Sequence, residues 1–153
     1  MKETTKNKII DTIKAHTKKP KDEEKMQALQ ALSLFEDSKE ASVGDLVSMV
    51  IDGDKREALT KAAKDQKSAS QAAIDIVITA DYEKMTRQYG EKGTRFAQLE
   101  AGHAAQNICL QVTALKLGTV TMGYFDDDAV KKVLGISDGA EPLYIMPVGR
   151  TGA

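Results

Sequence analysis

The stretch from about Thr94 to Leu117 limits most what this chain can become, because it is the longest helical pattern in the sequence. Phe96, Leu99, Ala104, Ile108, Leu110, Leu115 and Leu117 carry its apolar content. Ala101, Gly102, Ala104 and Ala105 lie together, and small residues let another backbone come close. The helix is therefore expected to pack on more than one side, and to stop at Gly118. With helices leading and strands mixed among later helices, the order points to an α+β domain.

Composition narrows the class further. A length of 153 residues suits one domain with a single core. A net charge of −1 is not that of a general polyanion binder. One Cys excludes a disulfide framework and a multi-Cys zinc site. No apolar run has the length of a membrane span and no secretory signal pattern opens the chain, so the expected setting is cytoplasmic, with no membrane partner.

The balanced charge hides an asymmetry. Seven Lys precede Asp22 against only two acids, Glu3 and Asp11. Ile9, Ile10 and Ile13 give residues 4–17 a narrow helical stripe, and Pro20 ends it. No aromatic platform accompanies these lysines, so a solvated terminus is expected rather than a nucleic-acid site. A second helix is expected over residues 22–37, with Asp22, Glu23 and Glu24 at its positive end. Residues 1–45 thus read as a Lys-rich helical segment, and 46–153 as the main domain.

Within the main domain, Leu46–Ile51 reads as a strand, and Asp54 as the cap of a helix to about Ala63 with Leu59 and Ala62 inward. Ile74–Ala80 is the clearest strand, with Asp75 near its end or facing solvent. Asp81 to Gly93 is a polar stretch broken by Gly90 and Gly93. Thr119–Phe125 reads as a strand, Asp126 opens a short helix ending at Leu134-Gly135, and Leu143–Val148 is the last strand.

Motifs of specific chemistry are sparse. His16 lies in the basic terminus. His103 has Leu99 and Asn107 at i±4, so no metal pair forms and a hydrogen-bonded packing histidine is expected. Cys109 has no basic neighbour and reads as an inert buried thiol. Asp126-Asp127-Asp128 reads as a helix cap rather than a cation site. No metal is expected, and no Gly-rich phosphate loop is present.

A resemblance supplies more. Ala80-Asp81-Tyr82-Glu83, Tyr89-Gly90-Glu91-Lys92-Gly93 and Leu99-Glu100-Ala101-Gly102-His103-Ala104-Ala105-Gln106-Asn107 resemble the flavin-dependent nitroreductase superfamily, and the SagB-type dehydrogenases most. The likeness continues through Leu115-Lys116-Leu117-Gly118-Thr119-Val120, Gly123-Tyr124-Phe125-Asp126-Asp127, Val133-Leu134-Gly135 and Glu141-Pro142 to Gly149-Arg150. Weaker likeness reaches back to Asp54–Leu59 and Gln66, so residues 54–150 carry it, about two thirds of the chain.

The resemblance implies a nitroreductase-like α+β fold with an antiparallel or mixed sheet and a long central dimer helix. It implies a homodimer that binds FMN between subunits and passes a hydride between NAD(P)H and a small organic acceptor through flavin N5. Met122 and Gly123 would pass the ring with their backbone amides, and Gly123 suits a close approach. Arg150 would face the FMN phosphate, which a guanidinium fork suits. Tyr89 would be a catalytic hydrogen-bond donor, although packing is the commoner role for such a ring. The family's Arg-Arg-Ser opening motif and Ser-rich, Pro-containing segment have no counterpart here: the first Arg is Arg56 and the only early Pro is Pro20. By this measure the fold is N-terminally shortened. Where azole-forming members carry Lys-Tyr, this chain has Gln88-Tyr89, and Gln is neither a general acid nor a base. The readings that stand beside a flavoenzyme are a non-catalytic dimeric remnant and one half of a split enzyme.

Overall fold

The computed structural model describes residues 53–136 and 139–151. The expected helices at 4–17 and 22–37, the strand Leu46–Ile51 and His16 lie outside the described residues. In chain order the elements are α1 (Arg56–Ala62), α2 (Ser68–Gln71), β1 (Ile74–Asp81), α3 (Tyr82–Tyr89), a 3-10 turn (Gly90–Lys92), α4 (Gly93–Ala114), β2 (Gly118–Thr119), α5 (Asp127–Leu134) and β3 (Ala140–Gly149). The described part is α+β, with a small antiparallel sheet and one long helix, as the sequence suggests.

The last strand sits in the middle of the sheet, in the order β1-β3-β2. Ile145, Met146, Pro147 and Val148 are all buried, which is the signature of a strand covered on both faces. Ile145 belongs to a core with Leu59, Ala62, Ala63, Ala69, Met122 and Val130, drawn from α1, α2 and α5. Side chains alternate along a strand, so Met146 and Val148 point to the other face. There α4 packs on β1 and β3. It buries Ala97, Ala101, Ala105, Ile108 and Val112, a single stripe at spacings of three and four.

Several expectations shift for identifiable reasons. The polar stretch after β1 is helical, because Asp81 caps α3 by accepting from the Lys84 N–H at 3.0 Å. Gly93 is not a breaker but the first residue of α4; a Cβ there would collide with the Met85 backbone, so glycine lets α3 and α4 touch. The long helix ends before Gly118. Lys116 takes the left-handed conformation (φ 59°), donating to Thr113 O while Leu117 donates to Val112 O. Gly118 instead enters β2 opposite Gly149. The helix also buries one face rather than two among the described residues: Leu99, His103 and Leu110 are exposed. His103 is therefore not a buried packing histidine. Cys109 is half-buried, 3.8 Å from the Thr121 hydroxyl.

The strand expected over Thr119–Phe125 breaks after two residues. Gly118 pairs with Gly149, Thr119 with Val148, and Met122 with Ile145 in an isolated bridge. The same register puts Val120 opposite Pro147. Proline has no N–H to donate, so that pair loses one of its two ladder bonds. The other edge of β3 is continuous, running from Ile74↔Val148 to Asp81↔Ala140 with one bulge near Pro142.

Other readings hold. Leu59 and Ala62 face inward on α1. Asp126 caps α5, accepting from the Ala129 N–H at 2.9 Å, and Gly135 ends that helix with φ 64°. Asp54, expected as the cap of α1, stands one residue too early: Lys55 holds the N-cap position without a side-chain cap bond, and Asp54 accepts from the Arg56 N–H at 3.1 Å. Asp75 is second in β1, near the strand end but half-buried, and its Oδ1 is buried without a hydrogen bond. Burial pushes its carboxyl up to about 7; Arg56 pulls it down and Asp54 pushes it up further. No helix among the described residues is long and apolar enough to cross a membrane.

Candidate functional site

The break in the β2 ladder leaves an accessible strip. Val120 is half exposed, Thr121 and Gly123 are exposed, and Tyr124 is 74% exposed. Between them Met122 turns inward and is buried. It is pinned three ways: its N–H and C=O exchange 2.9 Å hydrogen bonds with Ile145, and its sulfur receives the Ser68 hydroxyl at 3.1 Å. The Met122 amide is thus already used. The Gly123 amide has no hydrogen-bond partner among the described residues and lies in an exposed residue.

Gly123 is informative for a second reason. Its φ is not positive, so conformation does not require glycine. A Cβ there would meet only the Tyr144 ring, at 3.5 and 3.7 Å, and a carbonyl at 3.9 Å. Those are ordinary contacts, so the fold tolerates a side chain at this place. An open backbone with a free donor is the kind of surface against which a flat ligand can lie.

The strip is held in place from α1. Two successive left-handed residues, Lys64 (φ 54°) and Asp65 (φ 59°), end that helix. They carry Gln66 to a position where its side-chain amide donates to Ala63 O at 2.9 Å and to Tyr124 O at 2.7 Å. One residue pair further on, the Asp126 N–H reaches Ala62 O at 2.9 Å. The sequence reading did not single out this corner as functional, because it depends on a contact spanning 58 positions.

The remaining expected site residues lie apart. Arg150 is exposed, directly after β3. At about 3.3 Å per residue it stands roughly 17 Å along the strand from the Met122–Ile145 bridge. A ligand touching both has to lie along this edge, not across it. Tyr89 ends α3 and packs edge-to-face on Phe96, with ring centroids 5.5 Å apart. Among the described residues no hydrogen bond or ring contact joins it to the Gly123 strip.

Comparison with known proteins adds the family. The nitroreductase family profile matches residues 3–150, which takes in the Lys-rich start as well as the part that carries the resemblance. The chain belongs to the nitroreductase family. A candidate nitroreductase of Methanocaldococcus jannaschii is 42% identical over 101 residues, covering 66% of this chain and 50% of that one. The chain thus spans about half the length of that relative. A crystal structure of a candidate nitroreductase from Anabaena variabilis is 32% identical with a TM-score of 0.63, over 68% of this chain and 21% of that one. The NADPH:FMN oxidoreductase of Vibrio harveyi, solved with NAD+, has a TM-score of 0.67 over 84% of this chain and 60% of its own; at 23% identity it shows the fold alone.

Proposed function

We propose that this chain is an FMN-dependent oxidoreductase, near the SagB type, that moves a hydride from NAD(P)H to a small organic acceptor as a homodimer. Membership of the nitroreductase family, with an NADPH:FMN oxidoreductase among the fold neighbours, supports this reading. The observation that carries the reading is Gly123: an exposed glycine with a free amide, at a place where the fold itself accepts a Cβ. When bound, FMN supplies a ring nitrogen, N5, able to accept and release a hydride.

The chain's own residues do the positioning. The Gly123 N–H would donate to the acceptor edge of the ring and favour negative charge there. Met122, anchored to Ile145 and Ser68, keeps that amide fixed, so no reorganisation accompanies the reaction. Arg150 would hold the phosphate with a charge-assisted fork. Tyr89 receives no step, because among the described residues no hydrogen bond or ring contact joins it to this edge. The homodimer reading rests on the exposed face of α4, where Leu99 and Leu110 are at least half exposed and Gly102 has open space beside it.

Purified protein titrated with FMN tests the reading through its visible spectrum. Tight one-to-one binding is expected, and Arg150→Ala weakens it by about 1–3 kcal/mol. A colourless protein that ignores FMN at high micromolar concentration overturns it. Sedimentation is expected to show a dimer, with or without flavin.

A further inference from the structure

The structure assigns Gln66 as a positioning residue: its side-chain amide, aimed by the left-handed pair Lys64–Asp65, holds the Tyr124 carbonyl and so sets the orientation of the Gly123–Tyr124 backbone toward the flavin ring. The inference rests on the flavin reading above and adds the device that makes the site rigid.

The geometry is specific. A non-glycine residue in the left-handed region is uncommon, and two in succession are more so. Asp65 N–H donates to Thr60 O at 3.0 Å and Lys64 N–H to Lys61 O at 3.2 Å, which holds the pair in that conformation. The chain therefore leaves α1 in one fixed direction. Gln66 follows at once, and its amide group has two hydrogens to donate. Both are used: one returns to Ala63 O, which fixes the side chain, and one crosses to Tyr124 O. The peptide that carries Tyr124 O is followed by Asp126 N–H bound to Ala62 O, and preceded by Met122 bound to Ile145. The Gly123–Tyr124 segment is thus tied on both sides, and Gln66 supplies its only side-chain tether among the described residues. The Gly123 N–H shares a planar peptide with the Met122 carbonyl, which Ile145 holds. Without Gln66 the next peptide, Gly123 C=O to Tyr124 N–H, is free to rotate, and the Tyr124 N–H loses its fixed direction.

The test uses two variants. Gln66→Met keeps the length and removes the donor; Gln66→Lys keeps a donor. Three readouts are taken on the full chain: FMN affinity, the reduction potential of bound FMN, and 15N order parameters of Tyr124 and Phe125 without flavin. Gln66→Met is expected to weaken FMN at least tenfold and to shift the potential. In the flavin-free protein it lowers both order parameters from near 0.85 to below about 0.6. Gln66→Lys restores affinity to within about threefold. A merely structural Gln66 lowers thermal stability in Gln66→Met while leaving the potential and the order parameters unchanged, and that result overturns the inference. A wild-type protein that binds no FMN sinks the flavin reading; the flavin-free order parameters then still decide whether Gln66 fixes the segment.

Discussion

Among the described residues, the two edges of β3 are paired very differently. Along one edge, β1 runs beside it from Ile74 to Asp81 with a single bulge. Along the other, pairing covers Gly118 and Thr119, fails opposite Pro147, and resumes only at Met122. One strand thus presents a closed, structural edge and an open edge. On the open edge Pro147 supplies no N–H to the strand opposite it. The open edge is where Gly123 is exposed, its amide without a hydrogen-bond partner among the described residues. A fold can therefore leave backbone open along a sheet edge by omitting a hydrogen bond at one register, with no loop insertion needed.

Variants can break or sharpen that contrast. Ile145 joins the edges, since it pairs with Val77 on one side and Met122 on the other and is fully buried. Ile145→Ala is expected to cost about 2–5 kcal/mol in denaturant unfolding. A loss below 1 kcal/mol in that measurement means the edges do not share this core.

Asp75 tests the closed edge. Its folded pKa of about 7 lies above its ordinary 3.8, so the folded state holds this proton more tightly. The stabilisation is full below pH 4 and is lost as pH rises through 7. Discounted for partial exposure, the span is on the order of 2–3 kcal/mol. Asp75→Asn should flatten the fall in stability between pH 4 and 7 and raise the melting temperature at pH 8. An unchanged pH slope removes Asp75 as its source.

Gly123→Ala isolates the open edge. Stability should stay within about 0.5 kcal/mol, because the added Cβ makes only ordinary contacts. FMN binding should weaken tenfold or more, about 1.4 kcal/mol. Equal FMN affinity in this variant breaks the claim that the ring lies on Gly123.

The smallest effect is expected where the chain enters the open edge. Lys116 holds a left-handed conformation that glycine takes without strain. Lys116→Gly should stabilise by at most about 1 kcal/mol in the same unfolding assay, with FMN affinity untouched. A destabilised variant means the Lys116 side chain does more than turn the chain.

Much of this was legible in the residues. Asp126 and Gly135 bracket α5 by chemistry that acts within one turn, and the alternating, β-branched run at Ile74 marks β1. The α3 helix was legible too, since an Asp followed by Glu83 and Arg87 at i, i+4 is a local start signal, masked by the two glycines after it. The candidate site was legible in part. Gly123 and Arg150 stand out through the family pattern, but nothing near Met122 in sequence shows that its amide is spent on Ile145.

What the sequence determined by itself was local: caps, turn residues, apolar periodicity, and the ordered motifs that place the chain in its family. Those signals depend on neighbours a few positions apart, so they survive without coordinates. Tertiary structure decided what depends on register. It set Pro147 across from Val120, turned Lys116 rather than Gly118 into the end of α4, buried Asp75 beside Arg56, and brought Gln66 to Tyr124 across 58 positions. Each of these is a pairing between distant segments. Which residue faces which is fixed only once the strands have paired and the helices have packed over both faces of the sheet.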